Sequence, residues 1–203
     1  SAEFNGSYNA LNKSFNYTMY LPQVNAKGVI VDNFKLKSNT ENSTMMVNVS
    51  ASKISLTDSL VYENFELNSS INSDSIYLFA HIHSKDTLET VANVKYRGVF
   101  EPNRTIIGEF YSSEMYFNEE MWSVSPSNKI IIDSTSITFD NLEFATNNSG
   151  IRLDGKASKN KYDLIELSFR NYDLENFNKL LATVGVKLEG IISGNATMAD
   201  VFG

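Results

Sequence analysis

The sequence predicts an all-β protein: an elongated, strongly curved, mostly antiparallel sheet, half-pipe or taco-like, built from hairpin repeats of about 30 residues with one short helix. Three observations carry this. Apolar and polar residues alternate with period two along most of the chain, the pattern of a strand with one side toward a core and one toward water. A six-residue motif appears four times, its first two and last two copies about 30 residues apart, while the middle gap is longer and reads as a degenerate repeat or one interrupted around Trp122. Only one segment repeats its apolar residues at helical spacing.

The alternation runs in order along the chain. Met45, Val47, Val49 and Ala51 alternate with Thr44, Met46, Asn48 and Ser50. Ile76, Leu78, Ala80 and Ile82 alternate with Tyr77, Phe79, His81 and His83. Ala92, Val94, Tyr96 and Gly98 follow, then Ile151, Leu153 and Gly155, then Ile165, Leu167 and Phe169, and finally Leu188, Gly190, Ile192 and Gly194. Turns are expected at 39–43, 68–74, 102–103, 125–128, 147–150 and 158–161, where Asn, Ser, Asp, Gly and Pro cluster.

The helical exception is Leu174, Phe177, Leu180, Leu181 and Val184, predicting about three turns near 174–184. Asp173 is placed to cap its start and Gly185 to stop it in a left-handed conformation.

Val31-Asp32-Asn33-Phe34-Lys35-Leu36 recurs as Tyr62-Glu63-Asn64-Phe65-Glu66-Leu67, as Phe139-Asp140-Asn141-Leu142-Glu143-Phe144, and more weakly as Phe169-Arg170-Asn171-Tyr172-Asp173-Leu174. Each unit buries its apolar face only by stacking on its neighbours. The repeated acid–Asn pair reads as a bend or bulge rather than a series of catalytic carboxylates. The 203 residues read as a single repeat-built domain, and both ends read as cuts within a longer chain.

Composition excludes several functions. A net charge of −7 argues against nucleic acid, which needs a basic face. The chain has no cysteine, so thiol chemistry and disulfides are excluded. Its 24 asparagines generate nine Asn-x-Ser/Thr sites. Without cysteine, chance adjacency explains them better than a glycosylated ectodomain does. His81 and His83 share a strand face but lack a third ligand at local spacing. Glu119 and Glu120 are adjacent and would point to opposite faces of a strand. No Gly-x-Ser-x-Gly elbow, P-loop or Gly-x-Gly-x-x-Gly is present. The reading is no enzyme, no metal and no cofactor. Trp122 reads as core.

Trp122 with Ile130–Ile132, Ile137–Phe144, Ile151–Ser158, Leu174–Leu181, and Val186-Lys187-Leu188-Glu189-Gly190-Ile191-Ile192-Ser193-Gly194-Asn195-Ala196 form a series. Together these stretches resemble the C-terminal region of TamB-like envelope proteins and their AsmA-like relatives. The resemblance covers residues 120–203; the first 119 share only the architecture. It implies a periplasmic protein of Gram-negative bacteria, anchored in the inner membrane, whose curled sheet carries an apolar groove. It further implies lipid transport to the outer membrane, outer-membrane protein assembly, and an outer-membrane assembly protein as a partner.

The residues permit that function on their own terms. The inward set is Met45, Val47, Val49, Ile76, Leu78, Ile82 and Val94, continuing with Tyr96, Ile151, Leu153, Leu167, Phe169, Leu188 and Ile192. Gly98, Gly155, Gly190 and Gly194 fall on the same face and are read as widening it. Phospholipid acyl chains are the expected ligand, and neighbouring repeats of the same chain the expected protein contact. A sixteen-carbon chain gains about 10 kcal/mol by leaving water for such a face. Two alternatives remain open. One is a structural β spacer with a closed core. The other is a surface adhesin or sugar-binding β-solenoid, which would need exposed aromatics on the polar face; Tyr77, Phe79 and Tyr116 are the candidates there.

Overall fold

The computed structural model describes residues 1–201 apart from 12, 27, 42, 57–60, 85–89, 118–119 and 182–184. It is one extended antiparallel sheet of fifteen strands. The first seven are β1 (Glu3–Asn9), β2 (Ser14–Ala26), β3 (Val29–Glu41), β4 (Thr44–Ser55), β5 (Val61–Ile71), β6 (Ser75–Ser84) and β7 (Thr90–Phe100). Four short strands follow: β8 (Ile106–Phe110), β9 (Glu114–Phe117), β10 (Glu120–Val124) and β11 (Lys129–Ile132). The last four are β12 (Ser136–Ala145), β13 (Gly150–Ser158), β14 (Leu164–Asp173) and β15 (Ile191–Ala199). Chain neighbours pair with each other from β1 to β8 and again from β11 to β15, as period-two hairpin repeats require.

The four short strands are two long ones broken in the middle. β7 pairs with β9 through Val91–Asn93 and with β8 through Tyr96–Phe100. β12 likewise pairs with β10 through Phe144 and Ala145, and with β11 through Ile137–Asp140. Two buried polar side chains stand in for the missing ladder. The Ser113 hydroxyl accepts from the Lys95 amide at 2.8 Å and donates to the Lys95 carbonyl at 3.1 Å. The Asn128 side-chain oxygen accepts from the Phe110 amide at 2.8 Å, and its NH2 donates to the Phe110 and Ser125 carbonyls, each at 2.6 Å. Buried backbone groups need such partners.

The repeated asparagine is a bulge residue. Asn33, Asn64, Asn141 and Asn171 all adopt left-handed φ, at 52°, 52°, 51° and 45°, which Asn tolerates better than other non-glycine residues. The register slips at Asn64 between β5 and β6, at Asn141 between β12 and β13, and at Asn171 between β14 and β15. Side chains hold the bulges in place. The Asn141 amide donates to Asp154 Oδ1 at 2.7 Å and the Asn171 amide to Ser193 Oγ at 2.8 Å.

Among the described residues of the expected helix at 174–184, the chain forms a 3-10 turn, Leu174–Phe177, followed by an α turn, Asn178–Leu181. Residues 182–184 of the expected helix lie outside the described set. Asp173 does cap the start, accepting from the Glu175 amide at 2.9 Å, and Gly185 has φ +70°. The strand expected from Val186 begins only at Ile191. Asn178 accounts for the delay. Its side chain accepts from the Leu188 amide at 2.7 Å and donates to the Leu188 carbonyl at 2.8 Å. Leu188 is thereby tied to the helical turn instead of to β14.

Candidate functional site

The pairing register tests whether the inward set shares one face. Met45, Val47 and Val49 lie opposite Thr40, Ser38 and Leu36 on β3, and opposite Ile71, Ser69 and Leu67 on β5. Ile76 continues from Ile71, and Leu78 from Ser69. On β7 these meet Gly98 and Tyr96, while Ile82 meets Ala92 and Val94 meets Ala80. Tyr96 leads to Phe110, and Gly108 to Ile130. Across β13, Ile151 joins Phe144 to Phe169, and Leu153 joins Leu142 to Leu167. Ile192 faces Tyr172. Thirteen of the fourteen residues therefore line one side of the sheet. Leu188 is the exception, because it sits in the connection before β15.

The face also holds residues absent from the expected set. Phe34 and Leu36, Phe65 and Leu67, and Leu142 and Phe144 are the apolar positions of the repeated motif itself. Their presence was legible: the Asn that marks the bulge is followed by two apolar residues two positions apart.

Burial along this face is uneven. Tyr96, Val124, Ile130 and Leu142 form a buried cluster, with Ile76, Leu78, Phe110 and Leu153 among the residues packed against it. Trp122 is buried at 4% exposure, its ring edge-on to Tyr172 with centroids 5.9 Å apart. Phe177 of the 3-10 turn also lies against Tyr172, its ring tilted, with centroids 5.1 Å apart. Over β2–β6 the face is mostly half-buried, with Ser38 and Ala51 its buried residues. No described side chain of any size is completely enclosed. The chain exposes 12689 Å², against about 9,600 Å² for a compact protein of this mass.

Two of the four glycines, Gly98 and Gly155, do a different job from the one expected. Gly98 does not widen the face. Ile106, Ile76 and the Tyr96 hydroxyl already stand 3.1 Å from where its Cβ would be. The Tyr96 ring extends over Gly98 and its partner Gly108. Its hydroxyl is buried there with no hydrogen-bond partner among the described residues, and burial pushes its pKa up. Gly155, at φ +106°, is required by backbone: a Cβ would collide with the Leu164 carbonyl. Gly190 and Gly194 have open space around them.

The opposite face carries the polar set. His81 Nδ1 lies 2.9 Å from Asn93 Oδ1. Tyr77 is 45% exposed, and Phe79 and Tyr116 are half-buried. Among the described residues, no group of three or more His, Asp or Glu side chains is placed to hold a metal ion, and no helix is long and apolar enough to cross a membrane. No protein-family model, curated protein or solved structure matches this chain.

Proposed function

We propose that this chain is a segment of a β-sheet conduit that carries phospholipid acyl chains along its apolar face. In this reading it belongs to a periplasm-spanning envelope protein of a Gram-negative bacterium, anchored in the inner membrane. The parent protein serves lipid delivery to the outer membrane and outer-membrane protein assembly, with neighbouring repeats and an outer-membrane assembly protein as partners. It performs no catalysis. One observation carries the proposal: a mostly apolar face, interrupted by Thr40, Ser38 and Ser69, crosses the sheet, and over β2–β6 that face remains largely half-buried rather than enclosed. Such a face must be covered or occupied. Moving an acyl chain from a bilayer onto it exchanges one apolar surface for another, so the chain is held without being trapped.

The experiment places a charge mid-face and photo-crosslinks lipid from both faces. Val49 sits between Leu36 and Leu67. On an open face, Val49→Arg keeps its guanidinium hydrated, the protein folds, and acyl-chain transfer stops. Crosslinks from Asn48 but not from Val47 or Leu67 would end the proposal. A spacer with no ligand is the second reading, favoured by the buried cluster around Tyr96. It requires Val49→Arg to unfold the protein by burying an unpaired charge.

A further inference from the structure

The polar face holds a row of clefts that the lipid reading does not use. The first, on β1 and β2, shares Asn5 and Thr18 with the second. The second shares Lys37 with the third. The third, about 600 Å³, shares Tyr77 with the fourth, which reaches Lys129 and Asp140. Neighbouring clefts share lining residues, so the four lie in a row, a stepped trough, across the strands from β1 to β12.

The lining has a definite chemistry. Asparagines concentrate here: Asn5, Asn16, Asn39, Asn48 and Asn68 all line the trough. Asn48 Nδ2 donates to Asn68 Oδ1 at 2.7 Å. Among the described residues the remaining oxygen of Asn48 and NH2 of Asn68 make no further bond, so the pair offers an acceptor and a donor side by side. Tyr77 presents an exposed ring, and Phe79 lies two residues along the same strand face. Tyr111, also in the third cleft, is overlaid by the Arg97 guanidinium at 5.6 Å. Charges of both signs are present, and Arg97 is already paired with Glu109.

The nature of the partner follows from what the trough lacks. Backbone amides and carbonyls within the sheet are committed to their ladders, so an extended peptide finds none of the main-chain partners that strand addition uses. Mixed charge gives no purchase for a polyanion. What remains is aromatic ring faces beside amide and hydroxyl groups, the combination that stacks against the C–H face of a sugar ring and hydrogen-bonds its hydroxyls. The strands are spaced by about 4.8 Å, close to the length of one pyranose unit, so successive strands can meet successive units.

We propose that the trough binds a linear, neutral oligosaccharide lying across the strands, with Tyr77 as the stacking platform and the Asn48–Asn68 pair as a hydroxyl-recognition group. The proposal does not depend on the lipid reading, which concerns the other face.

The test is calorimetric titration of the 203-residue protein with chitohexaose, cellohexaose and maltohexaose, alongside their dimers and a Gly-Ser-Asn peptide of equal length. At least one hexaose should bind with a Kd of about 1 mM or tighter, and its dimer should bind at least about tenfold more weakly. Tyr77→Ala should weaken hexaose binding by about tenfold, and Asn48→Leu should weaken it in the same direction, with circular dichroism checking that both variants fold. Tyr162→Ala, an exposed tyrosine outside the trough, should leave it unchanged. Absence of binding by all three hexaoses at about 10 mM would overturn the proposal. So would an unchanged affinity in Tyr77→Ala, or equal binding of the peptide.

Discussion

Replacing Gly108 with alanine probes the tightest packing on the apolar face. A Cβ at this position overlaps the Tyr96 ring and hydroxyl and comes within 2.6 Å of the Arg97 carbonyl oxygen. The ring could swing away, but the carbonyl belongs to the β7 ladder and cannot move without breaking the pairing of Arg97 with Glu109. Overpacking of this kind costs about 2–3 kcal/mol, or about 4–12 °C in Tm for a chain of this size. Tyr96→Ala alone should cost about 3–5 kcal/mol, the usual loss for a buried aromatic. The two changes share one volume, so the double variant should fall at least about 1 kcal/mol short of their sum. Urea unfolding of the three variants measures this directly. If Gly108→Ala melts with the wild type, or the two costs simply add, Tyr96 does not occupy the space over the glycines.

Three further outcomes follow from other parts of the sheet. Asn141→Val forces a β-branched residue into φ 51° and should cost about 1–3 kcal/mol by chemical denaturation; Asn141→Gly should cost less than half as much, and equal costs would argue against the bulge conformation. The nine residues of β15 include no charge and no proline, and no described strand pairs with its second edge, so the protein should self-associate with concentration in sedimentation velocity, while Ala196→Lys should restore the monomer; a wild type that stays monomeric at every concentration contradicts this. Asp133 accepts from Ser136 and Thr135 at 2.7–2.8 Å, which holds its carboxyl well below the usual range. A depressed folded-state pKa gives stability that is present above the ordinary carboxylate range and lost as pH falls below it. The Tm gap between wild type and Asp133→Ala should accordingly be constant from about pH 5 to 8 and shrink below about pH 4, and a gap that grows in acid would refute the assignment.

Much of the architecture was legible because it rests on local rules. Period two places Val47, Leu78 and Leu153 on one face whatever the rest of the chain does, and a left-handed bulge selects Asn at each repeat. The broken strands at 106–132 were legible only as an overlong gap between the second and third motif copies, interrupted around Trp122. Their continuity depends on Ser113 and Asn128 acting as surrogate peptides, a role set by tertiary position that leaves no periodic trace. Gly98 misled for a related reason: whether a glycine leaves room depends on where a neighbouring ring lies, and Tyr96 takes that room. Leu188 fits the alternation in sequence, but the Asn178 side chain competes for its backbone. The polar face was legible only as an excess of asparagine, since the clefts arise when those residues meet across strands.

The hairpin order has a consequence for the length of the molecule. Outside the broken strands, each strand bonds to the strands just before and after it in the chain, so no rung depends on a distant segment to close it. Inserting or deleting one motif-to-motif unit changes the sheet by two rungs, about 10 Å, and leaves the register on both sides unchanged. Reach can therefore be adjusted in steps by duplication, and a load applied between the two ends would be carried in series, one ladder at a time.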